Sequence, residues 1–200
     1  MALNSYDNLK ISIADWLARK DLEKYIPDFI RIAESRLNNN PDFRVRKMVC
    51  KVTADISGGD VGLPDTYLGM RELRFADTGA SLQMVSPQTL SDRKQCGSSN
   101  YIFCDLGQRL EVFPVVDDVG VELFFYQMIP ALSDTNQINW LLVQSPDTYL
   151  YGSLMAASMH MKNDERVQLW GQMYADAVQG IVTADKRDRW SGGNKTVSIA

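Results

Sequence analysis

The sequence predicts an α+β protein. We expect a four-helix core of two N-terminal and two C-terminal helices, a β-rich insertion between helices 2 and 3, and an extended C-terminal tail. Three observations predict it. Apolar residues recur at spacings of three and four in both flanks of the chain. Between Phe43 and about Val121 the period shortens to two, with turn residues between short runs. And 200 residues, 45% of them hydrophobic, are enough to bury a core without disulfides or a metal. The expected segments are an N-terminal helical pair (1–41), a β-rich module (42–130), a C-terminal helical hairpin (131–190) and the tail (191–200).

The first helix is expected within "NSYDNLKISIADWLARK" (4–20), where Tyr6, Leu9, Ile13, Trp16 and Leu17 share one face. Asn4 or Ser5 supplies its N-cap. Pro27 lacks an amide hydrogen, so a short turn should end at Ile26 and a new helix should carry Pro27 in its first turn. Phe29, Ile30, Ala33 and Leu37 make the stripe of that helix, and Asn38-Asn39-Asn40-Pro41 ends it. "FRVRKMVCKVTADI" (43–56) alternates like a strand and is closed by Ser57-Gly58-Gly59-Asp60. Ala76-Asp77-Thr78-Gly79 and Asp105-Leu106-Gly107-Gln108 each separate two alternating runs, as hairpin turns do. "QTLSDRKQ" after Ser86-Pro87 predicts a short helix between the hairpins, and "GVELFFYQMI" (120–129) a further strand.

Ser145-Pro146-Asp147-Thr148 then predicts a helix start, with serine as cap, proline at the first position and an acid in the first turn. Asn163-Asp164-Glu165 is read as the cap of the last helix. Val167, Trp170, Met173, Tyr174, Ala177, Val178 and Ile181 form its apolar stripe, and over 164–189 it would be about 39 Å long. Ser191-Gly192-Gly193 stops it. In the tail, "NKTVSIA", Val197 and Ile199 stand at strand spacing.

Composition excludes several classes of chemistry. A net charge of −4 and a pI near 5.0 do not supply the concentrated basic face that grips nucleic acid. Three cysteines, Cys50, Cys96 and Cys104, make neither a disulfide framework nor a zinc motif, and a reducing compartment is expected. Cys50 and Cys104 are read as small buried hydrophobes. No apolar run reaches the roughly 18 residues of a membrane span, and "MALNSYDNLK" lacks signal-peptide order, so a soluble chain is expected. His160, the single histidine, is read as a surface or helix-end residue. Neither a phosphate-binding glycine motif nor a nucleophile elbow occurs. No catalytic residue, metal or cofactor is expected. Trp16, Trp170 and Tyr174 are read as core, Trp140 and Trp190 as interface anchors.

Several stretches resemble tailed-bacteriophage head–tail adaptor (connector) proteins. They are Leu22–Asn38 with its proline and A-E-x-R-L pattern, Gly59–Leu73, Ile129–Asp134, Asn139–Leu142, Pro146–Gly152, Asn163–Arg166, and Asp185-Lys186-Arg187 leading to Trp190. The resemblance implies a structural ring, commonly of twelve copies, under the portal of the capsid in the head–tail neck of the virion, assembled in the host cytoplasm. Its implied partners are the portal protein, neighbouring copies of itself and a downstream tail or nozzle protein. Genomic DNA would pass through the lumen without sequence-specific binding, and no membrane is involved. Arg187, Arg189, Trp190, Lys195, Val197, Ile199 and Ala200 are the expected portal or neighbour-subunit interface. The alternative reading is a small-molecule or glycan-binding module that uses Tyr67, Tyr101, Phe103 and Phe113 of the β insertion.

Overall fold

A computed structural model describes residues 3–97, 100–161 and 166–191. The chain divides into two compact units: one comprises Met1–Lys47 with Ile129–Ala200, the other Met48–Met128.

In the first unit, α1 (Tyr6–Leu17) begins where the Ser5 hydroxyl accepts the Asn8 amide at 3.3 Å, so Ser5 is the cap. It ends with its apolar stripe at Leu17, short of the expected stretch to Lys20, because Ala18 turns left-handed, with φ 52°. A 3-10 turn (Lys20–Tyr25) leads into α2 (Ile26–Asn39), which holds Pro27 in its first turn. Phe29, Ile30, Ala33 and Leu37 are buried. The Arg44 guanidinium donates to the carbonyls of Asn38, Asn40 and Phe43 and so closes the open end of α2. Phe43 and Val45 are buried with this unit, so the strand expected from residue 43 begins only at Val49.

The second unit is a seven-stranded sheet. Its strands are β1 (Val49–Ile56), β2 (Asp60–Gly62), β3 (Tyr67–Phe75), β4 (Ser81–Met84), β5 (Ile102–Asp105), β6 (Arg109–Phe113) and β7 (Val119–Gln127). Their spatial order is β1-β7-β3-β4-β5-β6-β2, antiparallel except for the β4–β5 pair. The sheet curls into a nearly closed barrel, and its two edge strands meet at a single bridge between Ser57 and Asp60. Ile56, Leu73, Leu82, Phe103, Leu110 and Phe125 are among the residues that fill its interior. Gly79 and Gly107 make the left-handed turn of each hairpin, with φ 67° and 85°. Helix α3 (Pro87–Cys96) is capped by Ser86 and lays Leu90 on Ile102 and Cys104.

The chain then returns to the first unit with α4 (Trp140–Gln144), α5 (Pro146–His160) and α6 (Val167–Ser191). The expected four-helix core is therefore wrong, although the α+β class holds. The described residues form six α-helices and a sheet with its own core, and five of the helices belong to the helical unit. The fifth, α4, hides in a stretch that reads as a polar connection, because five residues are too few to show a helical period. The insertion is no appendage either: alternation on successive strands lets it bury its own apolar face. Ser145 occupies the cap position of α5 without a side-chain cap bond. The expected Asn163-Asp164-Glu165 cap lies outside the described residues.

Gly152 sets how closely the helices approach. A β-carbon there would meet Ala33 Cβ and Tyr174 Cε2 at 3.0 Å, so α5 nearly touches both α2 and α6. Beside it, the Trp170 ring lies 6.2 Å from Tyr151, stacked, and 5.6 Å from Trp16, edge-on. Trp170 is buried, but Trp16 keeps 44% of its surface exposed, so only one of the two is true core.

Candidate functional site

Two polar constellations organise the helical unit, and neither was expected. The first is buried. Glu34 faces inward from α2 and accepts the Leu132 amide at 2.8 Å and the Tyr149 hydroxyl at 3.0 Å. Asn139 donates to that hydroxyl at 2.6 Å and to the Pro130 carbonyl at 2.7 Å, while its oxygen accepts the Leu142 amide at 2.8 Å. Asn139 is thus both the cap of α4 and the partner of Tyr149. Burial raises the pKa of Glu34, and the bonds from Leu132 and Tyr149 offset this only in part. Burial, and then the neighbouring Glu34, raise the Tyr149 phenol.

These bonds explain the polar run 129–139. Ile129 is held to the Asn38 side chain at 3.0 Å, Leu132 to Glu34, and the Gln137 carbonyl to the Tyr6 amide at 2.8 Å. Lys10 reaches Asp134 at 3.1 Å. The run is a strap pinned to α1 and α2, and of its own side chains Asp134 and Gln137 reach α1. One signal pointed to this: Glu34 falls among Ile30, Ala33 and Leu37 on the buried face of α2, where a carboxylate requires partners.

The second constellation lies near the end of α6. Asp185, with 11% of its side chain exposed, accepts the Arg46 backbone amide and Nε, both at 3.0 Å, and Arg189 at 2.8 Å. Arg46 also reaches Asp188 at 2.9 Å, and Arg189 donates to the Arg44 carbonyl at 3.1 Å. Burial alone would raise the Asp185 pKa, but the two Arg46 bonds and the Arg189 charge outweigh it and lower the value. This clamp ties the 44–47 segment to α6. It borders a groove of about 300 Å³ lined by Val45, Lys47, Gln144, Ile181 and Ala184.

The expected interface residues fare differently. Arg187 is exposed on the last turns of α6. Arg189, two residues on and so about 200° around the helix, is committed to the clamp. The Trp190 backbone continues α6, but its side chain lies outside the description. Lys195, Val197, Ile199 and Ala200 lie outside the described residues.

His160 ends α5, exposed, with its ring 5.2 Å from Tyr25 and 5.7 Å from Phe29. Cys104 is buried, Cys50 half-buried and Cys96 exposed at the end of α3. Trp140 is half-buried at the start of α4. In the sheet unit the four aromatics of the alternative reading do not share an open face. Phe103 is interior, Phe113 packs toward Leu90, and Tyr67 lies on Phe125 and bonds Asp105. Only Tyr101 is well exposed, edge-on to Phe75. Among the described residues no group of three His, Cys, Asp or Glu side chains is placed to hold a metal, and no helix is long and apolar enough to cross a membrane.

The polar side chains of each constellation are thus joined to one another, and both clamps lie within the helical unit, as in a structural scaffold. Residues 4–197 match the family model described as SU10 adaptor protein, and the chain belongs to that family. It is a bacteriophage adaptor protein, a component of the virion that works through contact with other head and tail proteins. No curated protein matches the chain.

Proposed function

We propose that the protein is a structural, non-enzymatic head–tail adaptor. Copies form a ring of twelve beneath the portal. The ring extends the DNA channel and offers the attachment surface for a downstream tail or nozzle protein. Assembly takes place in the host cytoplasm. The observation that carries this reading is the match over 4–197, which spans both compact units and not one module alone. A net charge of −4 suits a channel that DNA crosses without being gripped.

The contact surface for the portal and the neighbouring subunit comprises Arg187, Arg189, Trp190 and the tail residues Lys195, Val197, Ile199 and Ala200. Arg187 supplies the exposed charge, while Arg189 fixes the direction of α6 through the Asp185 clamp. Beyond α6, residues 192–200 extend about 30 Å at most, a span that reaches a neighbouring molecule. The test is electron cryomicroscopy of the purified protein mixed with its portal ring. We expect a ring of added density on the portal. Portal rings left bare at micromolar adaptor would overturn the reading.

A further inference from the structure

The two edges of the sheet are unlike. β2 is a stub of three residues, too short to recruit another chain. β1 is eight residues long and pairs with β7 in unbroken register from Val49–Tyr126 to Ile56–Val119. Among the described residues no strand pairs with its other edge, and only the Ser57–Asp60 bridge follows it. In an antiparallel strand about half the amide and carbonyl groups point toward one neighbour and the rest point away, so Val49–Asp55 presents a row of free donors and acceptors. Natural edges are guarded by charged side chains, proline, a bulge or an inward charge. β1 has Lys51 and Asp55 on its outer face but no proline, bulge or inward charge: Cys50, Ala54 and Ile56 turn into the barrel, and Val52, of the same parity, is 38% exposed. Lys51, Thr53 and Asp55 face the other way and are exposed.

One stretch of the chain has a strand pattern and belongs to no described element. In Lys195-Thr196-Val197-Ser198-Ile199-Ala200, Val197 and Ile199 alternate with Thr196, Ser198 and Ala200. Laid beside β1, its apolar side would continue the inward row of Cys50, Val52 and Ala54. Its polar side would lie beside Lys51, Thr53 and Asp55.

We propose that residues 195–200 of a neighbouring copy add as an eighth strand along the free edge of β1. The inference rests on the ring reading above. Pairing β1 with a second β1 would be isologous and would stop at a dimer, whereas donating one segment to a different edge is heterologous and closes a ring. Main-chain bonds supply the attachment, and the fit of Val197 and Ile199 beside Val52 supplies the register.

The test uses the full chain with Cys96→Ser, carrying Ser198→Cys and one of Lys51→Cys, Thr53→Cys or Asp55→Cys. Each sample is mixed with portal rings, oxidised and run on a non-reducing gel, with Ser198→Cys alone as control. At least one pair should give a ladder of disulfide-linked adaptor multimers, and adding Val197→Asp should weaken that ladder at least tenfold. Adaptor rings visible on the portal with no ladder from any pair would overturn the strand donation and leave the ring reading standing. A β1 cysteine that links to portal instead would assign the edge to a different donor and overturn it too. Bare portals would refute both.

Discussion

Asn139→Ala is the sharpest test of the buried network. The substitution removes three hydrogen bonds: the cap accepted from Leu142 at 2.8 Å and the donations to Pro130 and Tyr149 at 2.7 and 2.6 Å. Loss of the cap leaves a buried amide unpartnered, worth about 1–2 kcal/mol. The Tyr149 hydroxyl keeps its bond to Glu34, so its loss is smaller, and the Pro130 carbonyl adds about 1 kcal/mol. The total is about 3 kcal/mol. All four tryptophans, Trp16, Trp140, Trp170 and Trp190, belong to the helical unit, so their fluorescence follows that unit alone during urea unfolding. With a slope of about 1.5 kcal/mol per molar urea, the midpoint should fall by about 2 M. Asn136→Ala is the control, because Asn136 holds the Ala131 carbonyl at 2.7 Å in a solvent-exposed bond, and it should cost under about 1 kcal/mol. Equal midpoints for the two variants would refute the claim that Asn139 joins the strap, α4 and α5.

Three further outcomes follow from the same geometry. Glu34 has a folded pKa above its ordinary value of 4.5, so its charge is a cost that is fully present above the folded pKa and relieved as pH falls toward 4.5. Glu34→Gln should therefore remove stability gained on acidification in that window, and parallel urea midpoints for variant and parent at every pH would count against it. Asp185 has the opposite sign: its lowered pKa means stability present above 3.8 and lost as pH falls through the folded value. Asp185→Ala should cost only about 1 kcal/mol because its arginine partners are more than a third exposed, yet amide exchange at Arg46 should rise at least tenfold. Gly152→Ala sets a gain in helix propensity of about 1 kcal/mol against overpacking of about 1–3 kcal/mol from the 3.0 Å contacts. The net should be destabilising, and a higher melting temperature would show that α2 and α6 yield freely.

What was legible in the sequence was local. Ser5, Pro27 and Ser86 act within one turn of themselves, and each helix begins where they place it. The hairpins are equally local, since Gly79 and Gly107 set their turns with a single left-handed residue. The Glu34–Tyr149 and Arg46–Asp185 contacts join residues 115 and 139 positions apart, and no period or cap signal reaches that far. That is why the strap at 129–139 read as a loose connection, and why Arg189 read as a free surface charge although it closes a clamp.

The same distinction accounts for how the family is recognised. The resembling stretches contain Glu34, Asn139, Tyr149, Gly152 and Asp185. All five are committed to internal contacts: a helix-to-strap bond, a helix-to-helix bond, a cap, a close helix approach and a clamp. In the helical unit, the sequence signal of this adaptor is therefore in good part the signal of how that unit packs. A surface proposed to meet other proteins, such as the β1 edge, carries no such buried contact. It can change with the partner while the scaffold stays recognisable. On this argument, exchanging residues 192–200 between two adaptors of the family should move partner choice and leave the urea midpoint of the helical unit within about 0.5 kcal/mol of its starting value. A large loss of stability would mean that the segment belongs to the scaffold.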